Sequence, residues 1–135
     1  MCGVIRYFAW VFLVATCAWT QQASNDVPSQ LEHIVPGSRV FIEKMNGFED
    51  YLAAAIQAKQ VPVVVVTDRN KADFVISGSA SSSEMQHHTH ATIKAINKNG
   101  IVVFAYAYDQ NYPVHGQQSA AEACAKNLKK EISHR

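Results

Sequence analysis

The chain has 135 residues, of which 48% are hydrophobic and 17% are charged, and its formal net charge is +1. This length suits one domain with one hydrophobic core, and the composition is typical of a globular protein rather than a disordered one. A net charge so close to zero gives no electrostatic basis for binding nucleic acid or anionic lipid.

The first 18 residues have the pattern of a secretory signal peptide. One positive charge, at Arg6, precedes an apolar run from Tyr7 to Trp19. That run is shorter than the roughly 20 residues that a membrane-spanning helix needs. Thr16 and Ala18 form the small-residue pair that signal peptidase prefers, so we expect residues 1–18 to be removed and the mature protein to be periplasmic or secreted.

The number of cysteines in the mature protein depends on where this segment is cut. Removal of residues 1–18 takes away Cys2 and Cys17 and leaves Cys124, which then has no partner for an internal disulfide. In the alternative, Cys17 is a lipidated amino terminus, because residues 13–15 precede it in a lipobox-like order. A second alternative is an uncleaved membrane anchor.

Residues 19–38 are predicted to be a flexible linker, and residues 39–133 a single domain. The domain opens with a short strand at 39–43. Asn46 and Glu49 then have the spacing of a capping box, which predicts the start of a helix. Its buried stripe comprises Phe48, Leu52 and Ile56.

The run of valines at 63–66 is typical of a strand covered on both faces, so we expect it at the centre of the sheet. Residues 67–71 follow as a turn, and 74–77 as a third strand. The serine-rich tract 78–83 is predicted to be a mobile loop.

A hairpin and a helix complete the chain. The Asn-Gly pair at 99–100 lies between predicted strands at 89–96 and 101–109 and favours a tight turn. Residues 117–132 have helical periodicity, with a buried stripe at Ala121, Cys124, Leu128 and Ile132.

A turn of two or four residues gives each face of the hairpin a defined set of side chains. The face under the helices is then expected to contain Ala91, Ile93, Ala95, Val102, Phe104 and Tyr106. The opposite face is expected to contain His88, His90, Thr92, Lys94, Val103, Ala105, Ala107 and Asp109.

These elements predict an α/β fold, a two-layer sandwich in which two helices pack on a mixed sheet of about five strands, in the order β-α-β-β-β-β-α. A single helix joins the first two strands, so these should be parallel with a right-handed crossover.

The sequence resembles a group of bacterial envelope domains over roughly residues 38–132. The segments that carry the resemblance are Arg39-Val-Phe-Ile-Glu, Val63-Val-Val-Val-Thr-Asp-Arg, Ala72-Asp-Phe-Val-Ile-Ser-Gly-Ser and Gly100-Ile-Val-Val-Phe-Ala, followed by an alanine-rich helix. The group includes the TolB amino-terminal domain, the curli-secretion lipoprotein and the lipoprotein activators of penicillin-binding proteins. The resemblance implies a non-enzymatic domain that docks on other envelope proteins.

Two histidines could take part in metal binding. His88 and His90 are two apart on a predicted strand, so they point to the same side, and the hairpin brings Asp109 across from one of them. Two imidazoles and a carboxylate would suffice for a weak zinc site, but no fourth ligand can be identified by spacing. The competing interpretation is a solvated polar face.

The sequence gives less support to catalysis by a serine or cysteine nucleophile. The serine run lacks the Gly-x-Ser-x-Gly elbow of hydrolases, and Cys124 has the helical position of an inert core thiol. Tyr108 and Tyr112 flank a polar loop at 109–116, and we expect them to be exposed and to contact a partner. No cofactor is predicted.

The sequence therefore predicts an exported envelope domain that acts by protein–protein contacts and is not an enzyme. Its partner would be an envelope protein, with no nucleic acid and no membrane span after signal removal. The alternative is a weak metal- or small-ligand-binding sensor that uses His88, His90 and Asp109.

Overall fold

Two helices pack on one face of a five-stranded mixed sheet, as predicted. The computed structural model describes residues 33–83, 87–111 and 115–134. The strands are β1 (Ser38–Ile42), β2 (Val63–Val66), β3 (Phe74–Ser83), β4 (His88–Asn97) and β5 (Val102–Asn111), and the helices are α1 (Phe48–Ala58) and α2 (Gly116–Ser133). The strand order is β2-β1-β3-β4-β5, with β1 parallel to β2 and β3 and the other pairs antiparallel.

The core lies between the sheet and the helix layer. Alternate strand residues point into it, and the helices contribute residues three or four apart, so both predicted stripes are confirmed. Its largest fully buried side chains include Val40, Phe48, Leu52, Ile56, Phe74, Ile76, Ile93, Cys124 and Leu128.

The valine strand is at an edge of the sheet, so the prediction that it is central is wrong. β2 pairs with β1 alone, and Val64 and Val65 are 52% and 37% exposed. β1 takes β3 as its second neighbour and thereby separates β2 from the rest of the sheet. Strand order depends on long-range pairing, and an unbroken apolar run carries no information about it.

The serine tract is part of a strand and not a loop. β3 continues to Ser83 and pairs with β4 over its whole length, from Phe74 opposite Asn97 to Ser83 opposite His88. Pairing with β4 therefore overrides the weak strand propensity of these residues. Gly78 does not break the strand: a Cβ there would lie 1.9 Å from the carbonyl oxygen of Thr92, so glycine permits a close approach of β3 to β4.

The start of α1 also differs from the prediction. The N-cap is Gly47, with φ of 93°, and it has no side-chain capping bond. The Glu49 carboxylate accepts hydrogen bonds from the backbone N–H groups of Met45 and Gly47, at 2.7 and 2.9 Å. Asn46 is therefore not the cap, because the helix starts one residue later than the capping-box spacing requires.

The hairpin between β4 and β5 has a three-residue loop, 98–100, closed by a hydrogen bond from Asn97 N–H to the Ile101 carbonyl. An odd loop length reverses the expected facing, and a bulge near Ala95 and Ile96 restores it. Phe104 and Tyr106 therefore lie on the helix-covered face, as predicted. Val102 pairs with Ile96 on the opposite face, so its predicted position is wrong.

Packing begins before the predicted domain boundary, because Ile34 is already buried in the core. The signal-peptide prediction, the alternatives for Cys17 and most of the predicted linker lie outside the described residues. Within the described ranges, neither helix is both long and apolar enough to cross a membrane.

Candidate functional site

The sheet face opposite the helices carries a shallow groove of about 650 Å³ between β3, β4 and β5. The strand alternation directs hydroxyl, methyl and amine groups into it, from Ser77, Ser79, Thr92, Lys94, Ala105 and Ala107. Because most of these side chains are small, they leave the surface concave. We call this side of the sheet the open face.

Two of the hydroxyl groups that line the groove form a hydrogen bond with each other. The hydroxyl oxygens of Ser79 and Thr92 are 3.1 Å apart and share a hydrogen bond across β3 and β4. Lys94 is exposed and supplies a positive charge at the groove. Such a surface can receive a protruding part of another molecule and offer it hydroxyl and amine groups.

The structure brings the three predicted metal ligands together. Asp109 lies directly across from His90 in the β4–β5 register. One carboxylate oxygen is 3.4 Å from His88 Nε2, and the other is 3.6 Å from His90 Nδ1. His88 Nδ1 is in turn 2.8 Å from Asn111 Oδ1.

This cluster does not have the geometry of a metal centre. Each carboxylate oxygen of Asp109 contacts one imidazole, so the cluster joins β4 to β5 through direct polar contacts. No group of three His, Cys, Asp or Glu side chains among the described residues could hold a metal ion. Each His–Asp contact becomes an ion pair when the imidazole is protonated.

One row of residues was missed because the serine tract was predicted to be a loop. Ser81 lies beside His90, which lies beside Asp109, so the three residue types follow one another across β3, β4 and β5. Nucleophilic catalysis needs the serine and its base within hydrogen-bond reach. Within the described part of the chain no hydrogen bond joins Ser81 to His90, so the row lacks an activated nucleophile.

Tyr108 is not exposed, so this part of the tyrosine prediction is wrong. It is 9% exposed, lies in the core opposite Ala91, and donates a hydrogen bond to Gln110 Oε1. Burial raises the pKa of its phenol. The alternation that predicted Tyr106 to face the helices also applies to Tyr108, two residues later. Tyr112 lies outside the described residues.

Cys124 is fully buried on α2, and burial raises the pKa of its thiol to about 12. A thiol with so high a pKa is almost entirely protonated at neutral pH and is a poor nucleophile. The prediction of a core position for Cys124 is confirmed.

A second groove, of about 490 Å³, lies near the β4–β5 turn and has a charged lining. Asp73 accepts hydrogen bonds from the Arg39 backbone N–H at 2.9 Å and from its guanidinium at 2.9 and 3.2 Å. The side-chain hydrogen bond to Arg39 is the main cause that lowers the pKa of Asp73. Arg69 pairs with Glu43 at 3.0 Å. These charges are largely neutralised by one another, and they connect β1 to the start of β3.

Comparison with known proteins supports the fold. Neither a family model nor a curated protein matches the sequence. The structure is similar to the crystal structure of TolB from Acinetobacter baumannii, with a TM-score of 0.55 and 7% sequence identity. The match covers 73% of this chain and 29% of that chain, so it spans less than a third of the TolB structure.

The sheet and its helix layer therefore define an α/β sandwich with a TolB-like fold. At 7% identity the likeness concerns the fold alone. The fold that the sequence resemblance implied is confirmed at this level.

Proposed function

We propose that this chain is an exported, non-enzymatic domain of the bacterial envelope that holds another protein against its open face. The observation that carries the proposal is the groove between β3, β4 and β5, on the side of the sheet away from the helices. The TolB-like fold and the pattern of residues 1–18 support the proposed envelope location.

The composition of the open face supports protein recognition. Val75 and Ile96 are half-buried at one end, small side chains line the groove in the middle, and the His–Asp cluster lies at the other end. Non-obligate interfaces combine apolar and polar surface in this way, with no need for large apolar area.

Binding is favoured over catalysis by the state of the reactive groups. The thiol of Cys124 is buried with a high pKa, and among the described residues Ser81 forms no hydrogen bond with His90, the base opposite it on β4. A docking surface needs no activated group, whereas an enzyme with a serine or cysteine nucleophile would need one.

The decisive experiment places a photo-crosslinking amino acid in the groove. Ser79 is exposed on β3 and its substitution leaves the core intact, and Lys126, exposed on α2, is the matched control on the helix layer. We expect irradiation of bacteria that express the full chain to link position 79, but not position 126, to one defined envelope protein. Failure of position 79 to form a specific adduct, or the same adducts from both positions, would refute docking at this face.

Export is tested separately by fractionating the same cells. We expect a shortened product in the periplasm or medium. Recovery of the full-length chain in the membrane fraction alone would contradict this part of the proposal, and palmitate incorporation that Cys17→Ser abolishes would establish the lipid-anchored alternative.

The sensor is the second candidate because His88 and His90 both lie within 3.6 Å of Asp109. Since the described side chains as they stand form no group that could hold a metal ion, zinc would bind only if these three side chains rearranged. It requires binding of zinc by the purified protein, measured by calorimetry, with loss in a His88→Ala/His90→Ala variant. Crosslinking at position 79 that persists in this variant and in the presence of a chelator would favour the docking domain.

A further inference from the structure

The outer edge of β5 is a long strand edge that no other described strand pairs with. β5 has ten residues, whereas β2, at the opposite edge, has four and follows Pro62. Proteins usually protect such edges with short length, proline or lysine, because an open edge pairs with another chain. β5 contains no Lys, Arg or Pro, and its single charge is at Asp109.

Most of this edge is regular. The bulge lies near the hairpin turn, and pairing with β4 is unbroken from Phe104 to Asn111. Along this segment large and small side chains alternate, with aromatic residues toward the helix layer and Ala105 and Ala107 on the open face. Tyr106 stays half-buried at the margin of the core, where an additional strand would cover it.

We infer that β5 pairs with β5 of a second copy of this chain, antiparallel and around a two-fold axis at Ala107. Opposite residues of an antiparallel pair point to the same face, so this register keeps both helix layers on one side of a continuous sheet. The bulge-free residues 104–110 all find partners. Tyr106 lies opposite Tyr108 of the second copy, and Ala105 lies opposite Asp109 of the second copy.

The charge on β5 permits this pairing, and it does not favour a strand from another protein instead. The two Asp109 residues are four positions apart along the strands, about 13 Å, which exceeds the Debye length of about 8 Å at physiological salt. Each also contacts His88 and His90 of its own β4. An extended peptide from another protein would find a single charge here, the exposed carboxylate of Asp109, whereas a second copy of β5 places its Tyr108 opposite Tyr106.

The pairing does not depend on the proposed docking function, because it uses a strand edge and leaves the groove accessible. It is tested on purified protein alone, by light scattering after size exclusion and by analytical ultracentrifugation over a concentration series. We expect the mass of two copies for the natural chain. A single-copy mass throughout the series would overturn the inference, whatever the crosslinking experiment shows.

Substitutions at the axis identify the surface. Ala107 is exposed on the open face, and Ala107→Lys would place two lysines directly opposite each other. We expect this variant and Ala107→Glu each to be monomeric, and an equimolar mixture of the two to regain the two-copy mass. Val64→Lys, on the edge strand β2, is the matched control and should leave the dimer unchanged. Persistence of the dimer in Ala107→Lys, no recovery in the mixture, or loss of the dimer in Val64→Lys would each overturn pairing through β5.

Discussion

Gly78 shows how one residue can control strand geometry. Gly78 belongs to segment 72–79, one of those that carry the resemblance to envelope domains, and its neighbours there also have physical roles: Ala72 is buried, Asp73 binds Arg39 of β1, and Phe74 lies in the core. Gly78 lies near the end of this segment, where the backbone of β3 comes close to that of β4. The residues of this segment therefore attach β3 to β1 on one side and to β4 on the other.

We predict that Gly78→Ala destabilises the domain. The added Cβ would lie 1.9 Å from the carbonyl oxygen of Thr92, so the strands must separate, and overpacking of this kind costs about 1–3 kcal/mol. Urea unfolding followed by circular dichroism measures the change. Ser81→Ala, at an exposed position of the same strand, is the control and should change stability by less than about 0.5 kcal/mol. Equal midpoints for the two variants would contradict the close approach.

The tyrosines mark the limit of prediction at this scale. Strand alternation predicted the facing of Tyr106, and the same alternation places Tyr108 in the core. The proximity of Tyr108 to a polar loop suggested exposure, but side-chain direction in a strand is set by alternation rather than by loop proximity. The convergence of His88, His90 and Asp109 was predictable because it needs only alternation and a hairpin.

At the scale of elements, local patterns predicted helices better than strand limits. The stripes of α1 and α2 are correct because helix periodicity is recorded in consecutive residues. The extent of β3 depends on β4, which supplies pairing to the serine tract. The edge position of β2 depends on the pairing of β1 with β3, which no feature of the valine run reports.

Helix α2 supplies a direct test of the helix–sheet packing. Leu128 is fully buried, so Leu128→Ala should lower the free energy of unfolding by about 2–5 kcal/mol. Lys126→Ala, at an exposed position two residues earlier, should change it by less than about 0.5 kcal/mol. Chemical denaturation of both variants measures the difference, and similar losses would mean that the buried face of α2 is misassigned.

Lys129 would be an unsuitable control in this comparison. Its ammonium group donates a hydrogen bond to the Lys59 carbonyl at 2.8 Å, just beyond the end of α1. It therefore connects the two helices, although its position on the helical wheel suggests a free surface lysine.

For the whole molecule, the fold class followed from the order of the elements, since a helix crossover, a hairpin and a final helix leave few arrangements open. The groove was not predictable, because it requires the long pairing of β3 with β4 and the small side chains that meet across three strands. The proposed function therefore depends on the fold and on a groove that exists only when β3, β4 and β5 are paired.

The stability of the whole domain should fall in acid. Hydrogen bonds and ion pairs lower the pKa of Asp73, chiefly through Arg39, of Glu49, chiefly through the Met45 N–H, and of Glu122, chiefly through Lys59. A carboxyl group whose pKa is lower in the folded state stabilises that state above its ordinary pKa, which is 3.8 for Asp73 and 4.5 for Glu49 and Glu122. This stabilisation disappears as the pH falls through the folded-state values.

We therefore expect the melting temperature to be steady near neutrality and to fall as the pH drops below about 4.5. Asp73→Asn/Glu49→Gln should melt lower at pH 7 and should lose less on acidification, since two of the three stabilising carboxylates are gone. Gln57→Ala, which alters an exposed side chain of α1 that carries no ionisable group, is the control and should keep the natural pH dependence in this range. Thermal melts between pH 7 and pH 2 measure all three proteins. Parallel curves for the double variant and the natural chain would show that these contacts do not link protonation to folding.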